Sequence, residues 1–119
     1  MILTSDVTHL IGMPPGEYQY MGQKVIKTID GLVRNPVLDN LAGASLPLKK
    51  GVETLMEYTG CTLADAINMA SKNVARIYSL SDRGTLSAGA RADLILFEKK
   101  NDKIMIKETW VAGRCVYEA

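Results

Sequence analysis

The chain has 119 residues, 47% hydrophobic and 23% charged, the balance of a folded domain and not of a disordered one. The length allows one domain of common size and excludes a complete (β/α)₈ barrel, which needs roughly 200 residues or more. Fourteen Lys and Arg against 13 Asp and Glu leave a net charge of +1, with no basic stripe for nucleic acid. No apolar run approaches the ~20 residues that span a bilayer, so no membrane partner is expected. The N-terminus lacks the basic start and apolar core of a secretory signal, and two cysteines do not make a disulfide scaffold. The expected compartment is the cytoplasm.

In chain order, Met1-Ile2-Leu3-Thr4-Ser5-Asp6 reads as a short apolar strand with a polar end. Gly12, Pro14, Pro15 and Gly16 then mark a loop. Gly22 between Glu17–Tyr20 and Lys24–Lys27 predicts a hairpin. Asp30-Gly31 is a second turn, and Leu32-Val33-Arg34 a third short strand. Residues 35–44 read as irregular. Leu48, Val52, Leu55 and Met56 share one helical face, entered through Pro47 and stopped by Gly60. Thr62 and Asp65 form a capping pair for a second helix carrying Leu63, Ala66, Ile67 and Ala70. Asn73 is expected to cap a third, short helix that buries Val74, Ile77 and Tyr78. Leu94–Phe97 reads as a buried strand and 99–103 as a charged turn. Ile104–Val111 and Arg114–Tyr117 read as two strands joined at Ala112-Gly113.

The residues alone build no complete active site. There is one histidine, His9, and Cys61 and Cys115 stand far apart, so no zinc-ligand spacing is present. Phosphate loops, dinucleotide glycine motifs and a nucleophile elbow are absent. Asp6 at a strand end suits a proton acceptor or a metal contact; taken alone it more often is a loop residue bonded to its own backbone. The small residues Leu41-Ala42-Gly43-Ala44-Ser45 suit a cradle for an anionic ligand, or a helix-entry loop capped by Ser45. His9 reads as a solvated loop residue. Cys61 and Cys115 read as ordinary buried thiols, and Met56 and Met69 as core.

The order of motifs resembles the C-terminal part of the N-acetylglucosamine-6-phosphate deacetylases, within the amidohydrolase superfamily. Leu3-Thr4-Ser5-Asp6 resembles the end of the last barrel strand with its catalytic Asp. Gly12-Met13-Pro14-Pro15-Gly16-Glu17-Tyr18 and Gly22-Gln23-Lys24-Val25 resemble the family hairpin. Asp30-Gly31 followed by Leu41-Ala42-Gly43-Ala44-Ser45-Leu46 resembles its Asp-Gly … Leu-Ala-Gly-Ser-x-Leu signature. Residues 66–76 resemble its Ala-x-x-Met-Ala-Ser-x-Asn-Pro-Ala-Arg helix, and 84–94 the return into a small β domain. Val7, Ala44 and Val74 stand where the family usually has Ala, Ser and Pro.

The resemblance implies an α+β piece of a metal-dependent amidohydrolase: last barrel strand, hairpin, helices, then strands of the small β domain. Within the single domain 1–119, residues 1–80 would close the barrel region and 81–119 would belong to the β-sandwich. It implies hydrolysis of N-acetylglucosamine 6-phosphate to glucosamine 6-phosphate and acetate. Asp6 would be the acid/base, and Leu41, Ala42 and Gly43 would contact the sugar phosphate. A divalent metal, zinc or iron, would activate water, but the family's ligands lie upstream of this chain. Alone, the chain is therefore expected to bind no metal and to be inactive. The missing neighbours of the first strand predict a homo-oligomer or a separately encoded N-terminal half as partner. A second reading is a non-catalytic interaction or structural module derived from an amidohydrolase.

Overall fold

The computed structural model describes residues 1–119. Its α+β architecture has two antiparallel sheets separated in sequence by three helices. The elements are β1 (Gly16–Tyr20), β2 (Gln23–Lys27), β3 (Leu32–Asn35), β4 (Asn40–Ala44), α1 (Leu48–Thr59), α2 (Leu63–Ala70), α3 (Lys72–Ile77), β5 (Leu94–Lys100), β6 (Lys103–Val111) and β7 (Arg114–Glu118). Two compact units emerge: Thr4–Gly51, and Met1–Leu3 with Val52–Ala119.

The unit 4–51 is a four-stranded meander, β1-β2-β3-β4. Tyr18 faces Val25 across the first hairpin, and Met21 and Gly22 both take positive φ in its two-residue turn. That turn twists with the strands, which is why Met-Gly serves here. The predicted turn at Asp30-Gly31 is present: Thr28 N donates to Leu32 O and Leu32 N to Thr28 Oγ1. Leu10, Val25 and Val33 form the core, with Tyr18, Tyr20 and Ala42 against it.

Two expectations for the first 44 residues are corrected. Residues 1–6 form no strand; the only pairing nearby is an isolated parallel bridge between Val7 and Ala44. Residues 35–44 are not irregular: they hold the end of β3, a turn and β4. The buried Asn35 makes this turn, its Oδ1 accepting from Val37 N at 2.9 Å and Leu38 N at 3.0 Å. A side chain thus replaces backbone partners, a signal easily masked by Pro36.

In the second unit, α1 and α2 form on the expected spacing. Thr62 Oγ1 accepts from Asp65 N and the Asp65 carboxylate accepts from Thr62 N, a complete capping box. Val52, Ala66 and Ile104 are the buried centre, joined by Leu3, Leu55, Met56, Ile67 and Phe97. Met1 and Leu3 fold back onto the helices: Leu3 N donates to Met69 O at 2.9 Å and Asn73 Nδ2 to Met1 O at 2.8 Å. Asn73 is therefore not a cap. It lies inside α3, whose N-cap is Ser71. Ala75, not Ile77 or Tyr78, is the buried residue of α3. Leu48 also lies outside the core, exposed at the start of α1.

The final sheet runs β5-β6-β7. The predicted turn 99–103 shrinks to Asn101-Asp102, both at positive φ, and Ala112-Gly113 turns as expected. Leu94–Phe97 is not a buried strand. Leu94, Ile95 and Leu96 are exposed, and only Phe97 reaches the helices. Glu53, buried on α1, accepts from Ile104 N at 2.8 Å and ties the β5–β6 hairpin to the helix. The return loop is tied by Asp93, which accepts from Ala112 N at 2.8 Å and meets Arg91 Nε at 3.0 Å. In the same loop the Arg83 hydrogen bonds and charge hold the Asp82 carboxyl below its ordinary value.

Candidate functional site

Asp6 lies beyond the fold-back of residues 1–3 and adopts φ +48°. Left-handed backbone is uncommon outside glycine, though Asp tolerates it through its short polar side chain. A neighbouring strand holds it there. Ala44 N donates to Asp6 O at 2.9 Å, and Thr8 N donates to Ala44 O at 2.7 Å. Asp6 is exposed, so its carboxylate is open to solvent.

The second predicted group, Leu41, Ala42 and Gly43, comes to the same place. It lies in β4 and not in a helix-entry loop. Ser45 is not a helix cap either: its Oγ donates to Gly31 O at 3.0 Å. Gly43 is buried at φ +130°, and a Cβ built on it would stand 2.8 Å from Thr8 Cγ2, 3.1 Å from Asp6 O and 3.7 Å from Asp6 Oδ2. Only a bare Cα lets the two segments approach this closely. Leu41 is exposed and Ala42 half-buried beside it. Two segments more than thirty residues apart thus meet at one edge.

Other singled-out residues lie elsewhere. His9 is exposed, its ring 5.5 Å from that of Tyr20. Cys61 is half-buried and Cys115 exposed, so neither is the buried thiol expected. A cavity of about 550 Å³ in the second unit is lined by residues including Glu53, Cys61, Lys99 and Lys103, and includes none of the predicted site residues. No group of three His, Cys, Asp or Glu side chains converges in the chain. Of the predicted site residues, Asp6 alone carries a carboxylate.

One buried residue, bonded to the segment that follows Asp6, escaped the sequence reading. Lys27 sits on the core face of β2 with only 8% exposure, and donates to Leu10 O at 2.9 Å and to Met13 O. The available signal was its i, i+2 spacing from Val25, a charge on an apolar face.

A family model described as "Amidohydrolase family" matches residues 17–117. The chain belongs to the amidohydrolase family. Members of this family are metal-dependent hydrolases. Among curated relatives, N-acetylglucosamine-6-phosphate deacetylase of Lysinibacillus sphaericus is 32% identical over 96% of this chain and 28% of its own length. A putative N-acetylgalactosamine-6-phosphate deacetylase of Escherichia coli K12 is 31% identical over 96% of this chain and 66% of its own. The solved N-acetylglucosamine-6-phosphate deacetylase of Thermotoga maritima superposes with a TM-score of 0.88 at 27% identity, over all of this chain and 31% of that one. The amidohydrolase chain described here therefore spans under a third of most of these relatives. No helix in it is long and apolar enough to cross a membrane.

Proposed function

We propose that the chain is the C-terminal part of an N-acetylglucosamine-6-phosphate deacetylase, and that it supplies the proton-transferring Asp6 and the substrate-contacting segment Leu41–Gly43 of β4. The observation that carries this reading is the pairing of Asp6 O with Ala44 N beside a glycine with no room for a side chain. A catalytic carboxylate and a small-residue strand segment are useful together only if both reach one substrate. On this reading residues 1–80 close the barrel region and 81–119 contribute to the small β domain. Asp6 takes a proton from the attacking water as the C–O bond forms. It returns that proton to the amide nitrogen as the C–N bond breaks, releasing acetate and glucosamine 6-phosphate. The zinc or iron of such an enzyme is left to residues outside this chain. The proposed compartment is the cytoplasm, where a sugar phosphate is found.

The test is a chimaera in which residues 1–119 replace the matched segment of the Lysinibacillus sphaericus relative. Acetate release from N-acetylglucosamine 6-phosphate is expected, with N-acetylgalactosamine 6-phosphate as the comparison substrate. Asp6→Asn in that chimaera is expected to lower the rate by about 10²–10⁴-fold. Residues 1–119 alone should release none. A folded chimaera that Asp6→Asn leaves equally active overturns the assignment of Asp6. A folded but inactive chimaera favours the non-catalytic module.

The partner on this reading is a second copy or a separately encoded N-terminal half. The motive is one row of the sheet β5–β7, where Ile95 and Tyr117 flank Thr109 and are 44% and 51% exposed. Apolar groups gathered on one small sheet mark an interface. Sedimentation equilibrium at micromolar concentration is expected to give a mass above that of the monomer. A monomer mass throughout leaves only the separately encoded half.

A further inference from the structure

Lys27 is a buried charged group that the proposed chemistry does not use. Its stem lies beside Val25 on the inner face of β2, and its ammonium is not aimed at a carboxylate. It donates to two backbone carbonyls, Leu10 O and Met13 O, 17 and 14 residues away. Those carbonyls belong to the segment that directly follows Asp6. That segment turns on Ile11 N to Thr8 O at 3.3 Å and Met13 N to Leu10 O at 3.1 Å. The hairpin grips it twice more: Tyr18 OH donates to Pro14 O at 2.8 Å, and the Tyr20 ring meets His9. On the other side, Thr8 N holds Ala44 O and Ala44 N holds Asp6 O.

The chain of contacts runs from Lys27 through the 8–13 turn to the backbone of Asp6. Burying an ammonium is costly unless its protons are bonded, and here two backbone carbonyls bond it. An apolar residue would pack there more cheaply, but it would take the ammonium donor from both carbonyls and leave Leu10 O with Met13 N alone. We infer that Lys27 is a positioning residue for Asp6: by clamping the 8–13 turn it holds Asp6 in its left-handed conformation against β4. This rests on the reading of Asp6 as the acid/base only for its functional meaning. The clamp itself is tested without substrate or metal.

The experiment is site-resolved amide hydrogen exchange on the 119-residue chain and its Lys27→Met and Lys27→Arg variants. Ala44 and Ser45 are adjacent in sequence but tied to different partners. Ala44 N is bonded to Asp6 O, and Ser45 N to Gly31 O at 2.8 Å. In Lys27→Met the amides of Ile11, Met13 and Ala44 are expected to exchange about tenfold faster or more, the factor for losing a charge-assisted hydrogen bond to a buried carbonyl. Ser45 is expected to keep its rate. Lys27→Arg, which retains charge and donors, is expected to return Ala44 towards the parent rate. Faster exchange at Ile11 and Met13 with Ala44 unchanged overturns the proposal, because the clamp then stops short of Asp6. Loss of protection throughout β1–β4 also overturns it, marking Lys27 as a determinant of the fold and not of the site. If Lys27→Met moves Ala44 as expected but Asp6→Asn leaves the chimaera active, the clamp stands and the acid/base assignment of Asp6 falls.

Discussion

Ala66→Asp is expected to abolish cooperative melting of the unit built on residues 52–119. Ala66 is 0% exposed, between Val52 and Ile104 at the centre of the helix–sheet core. A carboxylate there is larger than the site and has no cation or donor aimed at it. Burying an unpaired charge costs several kcal/mol, comparable to the whole stability of a small domain. Circular dichroism during a thermal ramp is the measurement. A cooperative transition that Ala66→Asp leaves unshifted would mean that α2 does not face β6. The same substitution at Ile67, half-buried on the neighbouring face, should be milder, since the chain can turn that side chain outwards.

The second large effect is expected at Gly43. Gly43→Ala places a methyl 2.8 Å from Thr8 Cγ2 and 3.1 Å from Asp6 O, on a backbone at φ +130°. Strain and overpacking together are expected to cost about 2–4 kcal/mol. The segment 6–8 can escape only by giving up its two hydrogen bonds to Ala44. Denaturant melting reads the loss of stability, and the chimaera assay reads displacement of Asp6. Both should fall. If stability falls by less than about 1 kcal/mol and activity holds, Gly43 is a neutral small residue and the close approach has no role.

On the proposed reading, substrate contact by Leu41 and acid/base work by Asp6 both depend on one edge of the 4–51 unit. Neither residue announces this by itself. Asp6 can be read as an ordinary turn aspartate, and Leu41-Ala42-Gly43 as a helix-entry loop. The family resemblance joined the two segments; the hydrogen bonds through Ala44 give that pairing a physical form.

What the amino-acid order determined alone was local. The Met21-Gly22 and Ala112-Gly113 turns, the Thr62–Asp65 capping box and the face Val52, Leu55, Met56 all depend on residues within one or two turns of chain. Each is stabilised by its own neighbours, so each was legible. Tertiary structure decided where the partner is distant. Asn40–Ala44 has little strand propensity, since Asn, Gly and Ala are all weak in sheets. It is a strand because β3 lies on one side and the Asp6–Thr8 segment on the other. Met1–Leu3 has the composition of a strand and is not one. Its backbone finds Met69 O and Asn73, and Leu3 finds the helix core. Lys27 would be a surface residue by type, yet two carbonyls from another segment draw it inside. Composition sets the cost of burying a group. Only the fold brings from elsewhere in the chain the atoms that offset it.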